Sequence, residues 1–166
     1  MMDVGPVRDV ASECTVFKTS TLPSDERYMA SVGNGYLATI VYSDTLYMNG
    51  LFNGAGNTTH RAKIPSPCNM QVSMKTCCHS NNTNETFALD VKKGIFTHQI
   101  RTADFSVCHC IYAHQLYTQL LVSEISIHRN KNCDEPITVT VTDHFKPTSP
   151  DLDISISTRK HSHSQN

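Results

Sequence analysis

Tryptophan is absent from this 166-residue chain, and phenylalanine and tyrosine supply only six residues each. The side chain with the largest flat surface for stacking on a sugar ring is therefore missing, and any core has to be built mainly from aliphatic residues. No apolar run approaches the ~20 residues that a membrane-spanning helix needs. The opening stretch, MMDVGPVRDVASECTVF, has no apolar segment of the kind found in a secretory leader, so a cytoplasmic location is expected. Charge of one sign is lacking too. The formal net charge is −1, which gives no field to draw in nucleic acid or an acidic membrane surface. Arg159-Lys160 is the only late basic pair and reads as part of a solvated tail ending in His161 and His163.

Paired CxxC motifs are also missing. The seven cysteines (Cys14, Cys68, Cys77, Cys78, Cys108, Cys110 and Cys133) fall in CC and CxC spacings, an odd number with no export signal, which argues for free thiols. His79 and His109 adjoin these cysteines. Neighbours on a strand point to opposite faces, which spoils their convergence on one ion. No metal ligand is assigned. Three glycosylation sequons, at Asn57, Asn81 and Asn84, carry no expectation of a glycan in a chain without a leader.

What is present is period two. Phe87, Leu89 and Val91 flank Ala88 and Asp90. Leu121, Ile125 and Ile127 alternate with Glu124, Ser126 and His128. Ile137, Val139 and Val141 alternate with Thr138, Thr140 and Thr142, and Leu152, Ile154 and Ile156 with Asp153, Ser155 and Ser157. Such alternation suits sheets with one buried and one wetter face, and β-branched residues fit the pleat. Gly33-Asn34-Gly35, Asn53-Gly54-Ala55-Gly56-Asn57 and Lys92-Lys93-Gly94 supply turns, the last as a hairpin. Ser24 is a candidate cap for a helical turn at Asp25-Glu26. No long segment follows the helical period. About ten short strands predict an all-β, antiparallel β-sandwich over residues 21–157, with a loose lead-in at 1–20 and a disordered tail at 158–166.

The turn-rich half carries a resemblance. Leu22-Pro23-Ser24-Asp25, Asn34 with Tyr36-Leu37, Asp44-Thr45-Leu46 and Phe52-Asn53-Gly54-Ala55-Gly56 come first. Thr59-His60-Arg61-Ala62, Pro65-Ser66-Pro67 and Glu85-Thr86-Phe87-Ala88-Leu89-Asp90 follow, then Cys110-Ile111-Tyr112-Ala113-His114 and Ser149-Pro150-Asp151-Leu152-Asp153. In this order and spacing the chain resembles the amino-terminal part of the family 65 glycoside hydrolases, and within them an animal branch. Ala38 departs from the glycine common in the wider family. The resemblance implies an N-terminal sandwich followed by a helical linker, an (α/α)6 catalytic barrel and a small β domain. It further implies a full-length enzyme that removes glucose from glucosyl-galactosyl-hydroxylysine of collagen and is commonly dimeric. The likeness stops near Ile156, inside the expected sandwich, and the divergent RKHSHSQN ending reads as a truncated product, an alternative transcript or an incomplete gene model. A sandwich cut there would have open edges and would self-associate.

The resemblance implies that the proton donor and its partner carboxylate lie in the barrel. No catalytic or cofactor-binding residue is therefore assigned here, and no cofactor is expected. From the residues themselves, Glu85 and Asp90 read as solvent-facing acids. Asp151 and Asp153 read as hydrated acids on an outer strand face, too few in number for the six to eight oxygens of calcium. His60 reads as a hydrogen-bonded structural histidine at a loop that could touch sugar. His114 would serve a cysteine nucleophile only if the fold brought the two together. The glycine loop lacks the Lys-Ser/Thr pair of a phosphate cradle. The alternative to a glycosidase fragment is a stand-alone carbohydrate-binding or protein-interaction module.

Overall fold

The computed structural model describes residues 15–76, 83–129 and 137–155. The described residues form thirteen strands and two single 3-10 turns. All pairings are antiparallel. One layer is a five-stranded sheet: β1 (Val16–Thr19), β9 (Asn84–Asp90), β10 (Ile95–Arg101), β11 (Phe105–Ala113) and β12 (Leu121–Arg129), in that order. Opposite it lie a four-stranded sheet and a two-stranded ribbon. The sheet holds β2 (Ser31–Gly33), β3 (Leu37–Ile40), β4 (Thr45–Met48) and β7 (Ile64–Pro65). The ribbon pairs β8 (Met70–Thr76) with β13 (Ile137–Asp143). A small hairpin of β5 (Phe52–Asn53) and β6 (His60–Arg61) stands at one corner.

The alternation seen in the sequence decides which side of each strand is buried. On β11, Phe105, Val107, His109, Ile111 and Ala113 are buried while the residues between them are only partly covered. The register sets Phe96 against Ile111, His98 against His109 and Ile100 against Val107, so one inner face forms across the strands. That face meets the opposing layer twice. Val32 and Val41 pack on Phe87, Phe96 and Ile111, and Val72 of the ribbon packs on Ile100 and Val107. Removing this apolar area from water is the main force holding the layers together.

The Lys92-Lys93-Gly94 hairpin is present between β9 and β10. Asp90 Oδ1 accepts from the amides of Lys92 and Lys93, each at 3.1 Å, and Gly94 takes a φ of 67°. Four readings of the sequence need correction. Val16–Thr19, inside the expected lead-in, forms β1, because Phe17 and its neighbours pair with Phe87–Asp90. The turn at Glu26–Tyr28 is capped by Asp25 rather than Ser24: its carboxylate accepts from the Arg27 amide at 3.0 Å and grips the Arg27 guanidinium at 2.7 Å. Residues 152–155 form no strand despite their alternation, because Asp151 ties this segment to the β5–β6 corner instead of to a sheet. Glu85, read as a solvent-facing acid, lies on the Phe87 side of β9 and reaches inward to His98, because strand neighbours two apart share a face.

Candidate functional site: a corner closed by Asp151

The polar residues that the fold gathers most tightly come from three separate stretches. Asn53 ends β5, His60 opens β6, and Asp151 arrives from some ninety residues further along the chain. Asp151 Oδ1 accepts from Asn53 Nδ2 at 3.1 Å and from His60 Nε2 at 3.0 Å, and Oδ2 accepts from the Lys63 amide at 2.8 Å. Its side chain is 7% exposed. Ser149 completes the arrangement: its hydroxyl donates to the Lys63 carbonyl at 2.6 Å and accepts from the Asp151 amide at 3.0 Å. The reading of Asp151 as a hydrated outer-face acid is therefore overturned. Asp153, two residues on, remains exposed.

These bonds dictate protonation. The Lys63 amide, then His60 and Asn53, hold the Asp151 carboxyl down at about 2, because each donor stabilises the charged form. His60 donates from both nitrogens, Nδ1 to the Thr58 carbonyl at 2.9 Å and Nε2 to Asp151. The Thr58 carbonyl, followed by Asp151, raises its pKa above the ordinary histidine value. An imidazole with both nitrogens donating to acceptors has no lone pair for a substrate proton. His60 is thus the hydrogen-bonded structural histidine expected from the sequence, and Ser149 is not placed to be its nucleophile.

The glycine loop closes the same corner. Gly54 has a φ of 89°, and a Cβ there would lie 2.5 Å from the Thr58 carbonyl oxygen. Gly54→Ala is expected to lower stability by about 2 kcal/mol through combined backbone strain and overlap, which a urea or thermal melt will read directly.

Asn34 performs a similar task at the β2–β3 turn. Its Oδ1 accepts from the amides of Tyr36 and Leu37, each at 2.9 Å, shaping the β2–β3 turn. Its Nδ2 donates to the carbonyls of His114 at 2.7 Å and Thr118 at 3.0 Å, which binds that turn to the β11–β12 loop. His114 Nδ1 accepts from the Leu116 and Tyr117 amides at 3.2 and 3.0 Å, so it serves its own loop and no cysteine.

A third cluster lies between the layers. His98 stacks on Phe87 with ring centroids 4.4 Å apart. It donates from Nε2 to Glu85 Oε1 at 2.6 Å, and Nδ1 meets the Tyr42 hydroxyl at 3.3 Å. Glu85, half-exposed, is thus the rim of an inward network rather than a free surface acid. Tyr42 holds a φ of 62°, unusual for an aromatic residue, with its ring edge-on to Phe96. Burial, and secondarily the Glu85 charge, drive the Tyr42 phenol far above its ordinary pKa, so it stays protonated. His109 is 1% exposed; Nε2 bonds Ser123 Oγ at 2.8 Å and Nδ1 has no partner.

The cysteines separate as alternation requires. His109 faces inward, while Cys108 and Cys110 share the outer face with sulfurs 3.8 Å apart. Cys68, Cys108 and Cys110 are free thiols. Cys14, Cys77, Cys78, His79, Cys133, His161 and His163 lie outside the described residues, as does the Asn81 sequon. No helix among the described residues is long and apolar enough to cross a membrane.

One apolar groove of about 370 Å³ opens between β1 and β2. It is lined by Phe17, Leu22, Pro23, Tyr28, Met29 and Leu89, with Phe17 and Tyr28 largely exposed.

Fold and corner together define an antiparallel β-sandwich domain whose long loops are bonded to its rim. Comparison with known proteins makes this more specific. The chain is 42% identical over 142 residues to the mouse protein-glucosylgalactosylhydroxylysine glucosidase, covering 86% of this chain and 20% of that protein. The chicken protein of that name is 38% identical over 146 residues, covering 88% and 20%, and one from Dictyostelium discoideum is 30% identical over 122 residues, covering 67% and 16%. The chain is a homologue of these glucosidases and spans about 20% of the length of the first two. No protein-family model and no solved structure matches it.

Proposed function

We propose that this chain is the amino-terminal, non-catalytic sandwich of a family 65 glycoside hydrolase of the acid trehalase-like branch, whose complete form removes glucose from glucosyl-galactosyl-hydroxylysine of collagen. The observation that carries the reading is how the motif residues are used. Asn34, Asn53, His60 and Asp151 all belong to the peptides that carry the resemblance, and each spends its hydrogen bonds on holding loops to the sandwich. An inverting glycosidase needs an acid and a base about 6.5–9.5 Å apart across the scissile bond. His60 and Asp151 are bonded to each other and cannot flank a sugar. In the complete protein the sandwich supports the catalytic body, shapes the rim of its pocket and contributes to a homodimer.

The test is an assay on glucosyl-galactosyl-hydroxylysine from hydrolysed collagen, with the mouse glucosidase run in parallel. The 166-residue chain is expected to release no glucose. Turnover by this chain would overturn the non-catalytic reading.

A second reading, a carbohydrate-binding module, draws on the exposed rings of Phe17 and Tyr28 beside the apolar groove. Aromatic side chains at an open groove are suitable platforms for a pyranose. Saturable heat on titration with oligosaccharides, lost in Tyr28→Ala, would favour it over a purely supporting role.

A further inference from the structure

Cys108 and Cys110 project from β11 onto the outer face of the five-stranded sheet, with their sulfurs 3.8 Å apart. Both are partly accessible and neither is in a disulfide. Across the ladder Cys108 faces Gln99 and Ser126, and Cys110 faces Thr97 and Glu124. Thr97 Oγ1 lies 3.8 Å from the Cys110 sulfur. Of the histidines on these strands, His98 and His109 are buried on the other face, while the exposed His128 of β12 stands beside Ser126 on the outer face, opposite Ser106. Directly across from the two sulfurs the ladder therefore sets an amide, two hydroxyls and a single carboxylate, and among the described residues no third histidine, cysteine or acid joins them in a metal-holding group.

That donor set discriminates between ions. Zinc takes four ligands from sulfur, nitrogen and carboxylate, and no group of three such donors gathers among the described residues. Calcium and magnesium require a cage of oxygens. Soft thiolates select Cu(I), a closed-shell ion that two sulfurs can bind from opposite sides. We propose that Cys108 and Cys110 form a two-coordinate thiolate site for a single Cu(I) ion.

The chemistry balances without a redox partner. Each thiol loses a proton to solvent as its sulfur–copper bond forms, and the ion keeps its oxidation state. Two thiolates on a monovalent cation leave one negative charge. Arg101 acts on the Cys108 sulfur in the favourable direction, and Glu124 opposes it. Burial first, then the neighbouring Cys110, push the Cys108 thiol up to about 11. Cys108 is thus a poor spontaneous nucleophile, and the metal has to drive its deprotonation, so binding weakens as pH falls. The proposal is independent of the glucosidase reading, because it uses the opposite face from the inner clusters and none of the corner residues.

The experiment is an anaerobic competition between the fully reduced chain and bathocuproine disulfonate for Cu(I). Wild type, Cys108→Ser/Cys110→Ser and, as a second dithiol, Cys77→Ser/Cys78→Ser are compared. The first double variant is expected to lose one tightly bound equivalent with an unchanged melt, and the second to keep it. X-ray absorption on the one-equivalent complex is expected to show two sulfur neighbours and no nitrogen. Equal stoichiometry and affinity in wild type and Cys108→Ser/Cys110→Ser would overturn the site, as would a nitrogen neighbour at the first equivalent. Should that variant fail to fold, thiol footprinting of the wild type decides. One equivalent of Cu(I) is expected to protect Cys108 and Cys110 from N-ethylmaleimide, and labelling of both at the metal-free rate would refute the proposal.

Discussion

Acidification from pH 6.5 towards 4 is expected to remove about 3 kcal/mol of stability through His109 alone. Period two on β11 turns residue 109 inward, where it is 1% exposed. Its Nε2 meets Ser123, and Nδ1 has no acceptor for a second proton. Desolvation, and secondarily the nearby His98, push its pKa down to about 4 from the ordinary 6.5. The sign follows from proton counting. Between these values the unfolded chain binds a proton that the native sandwich excludes, so falling pH favours unfolding. The contribution is fully present above pH 6.5 and is lost as pH falls through about 4. The groups facing this site include Tyr42 and Glu85 as well as His98, all linked through the inner network. Urea midpoints for wild type and His109→Gln across this range isolate the histidine, because all other groups are shared. The wild-type curve should fall more steeply towards acid. Parallel curves would show that His109 is not the acid-labile group.

Asp151→Asn is expected to destabilise the chain more than Gly54→Ala does, and to do so by detaching two distant segments at once. The substitution removes the negative charge that His60 and the Lys63 amide both address, and it places an amide donor where an acceptor is needed. A removed partner leaves its neighbours unsatisfied, which costs more than the bond itself contributed. The β5–β6 hairpin would loosen from residues 149–155, while the inner core around Phe96 and Ile111 stays intact. Hydrogen exchange gives the specific readout: the Lys63 amide should lose protection while β10 and β11 amides keep theirs. Unchanged protection at Lys63 would mean that Asp151 does not anchor the corner. The pH dependence points the same way. The Asp151 contribution is present above the ordinary carboxylate value and is lost as pH falls towards about 2. That of His60, whose pKa is raised, is present below the ordinary histidine value and fades as pH rises through the folded one.

The corner also shows where reading the chain as a string fails. Phe87–Asp90, Leu121–His128 and Ile137–Thr142 are legible as strands because their alternation is local, although only Phe87 among their described apolar residues is buried and Ile127 and Val141 stay exposed. The Lys92-Lys93-Gly94 turn was legible because its determinants are local: an aspartate beside it and a glycine at positive φ. His60 was correctly read as structural, yet its partner was not identified. Asp151 sat in an alternating stretch, and alternation cannot distinguish a strand from an extended segment held by its side chains. Phe17 was overlooked for the opposite reason, since a four-residue edge strand is too short to display a period.

The sequence by itself determined the all-β class, the inward positions of most long strands, the main turns and the kinship with the glucosidases, because pattern, turn chemistry and motif order are written locally. Only the tertiary structure decided that Asn53, His60 and Asp151 meet, that Glu85 reaches inward to His98, and that Cys108 and Cys110 lie side by side without His109. Those outcomes depend on which face of one layer meets another and on contacts between residues far apart along the chain, and no local spacing encodes either.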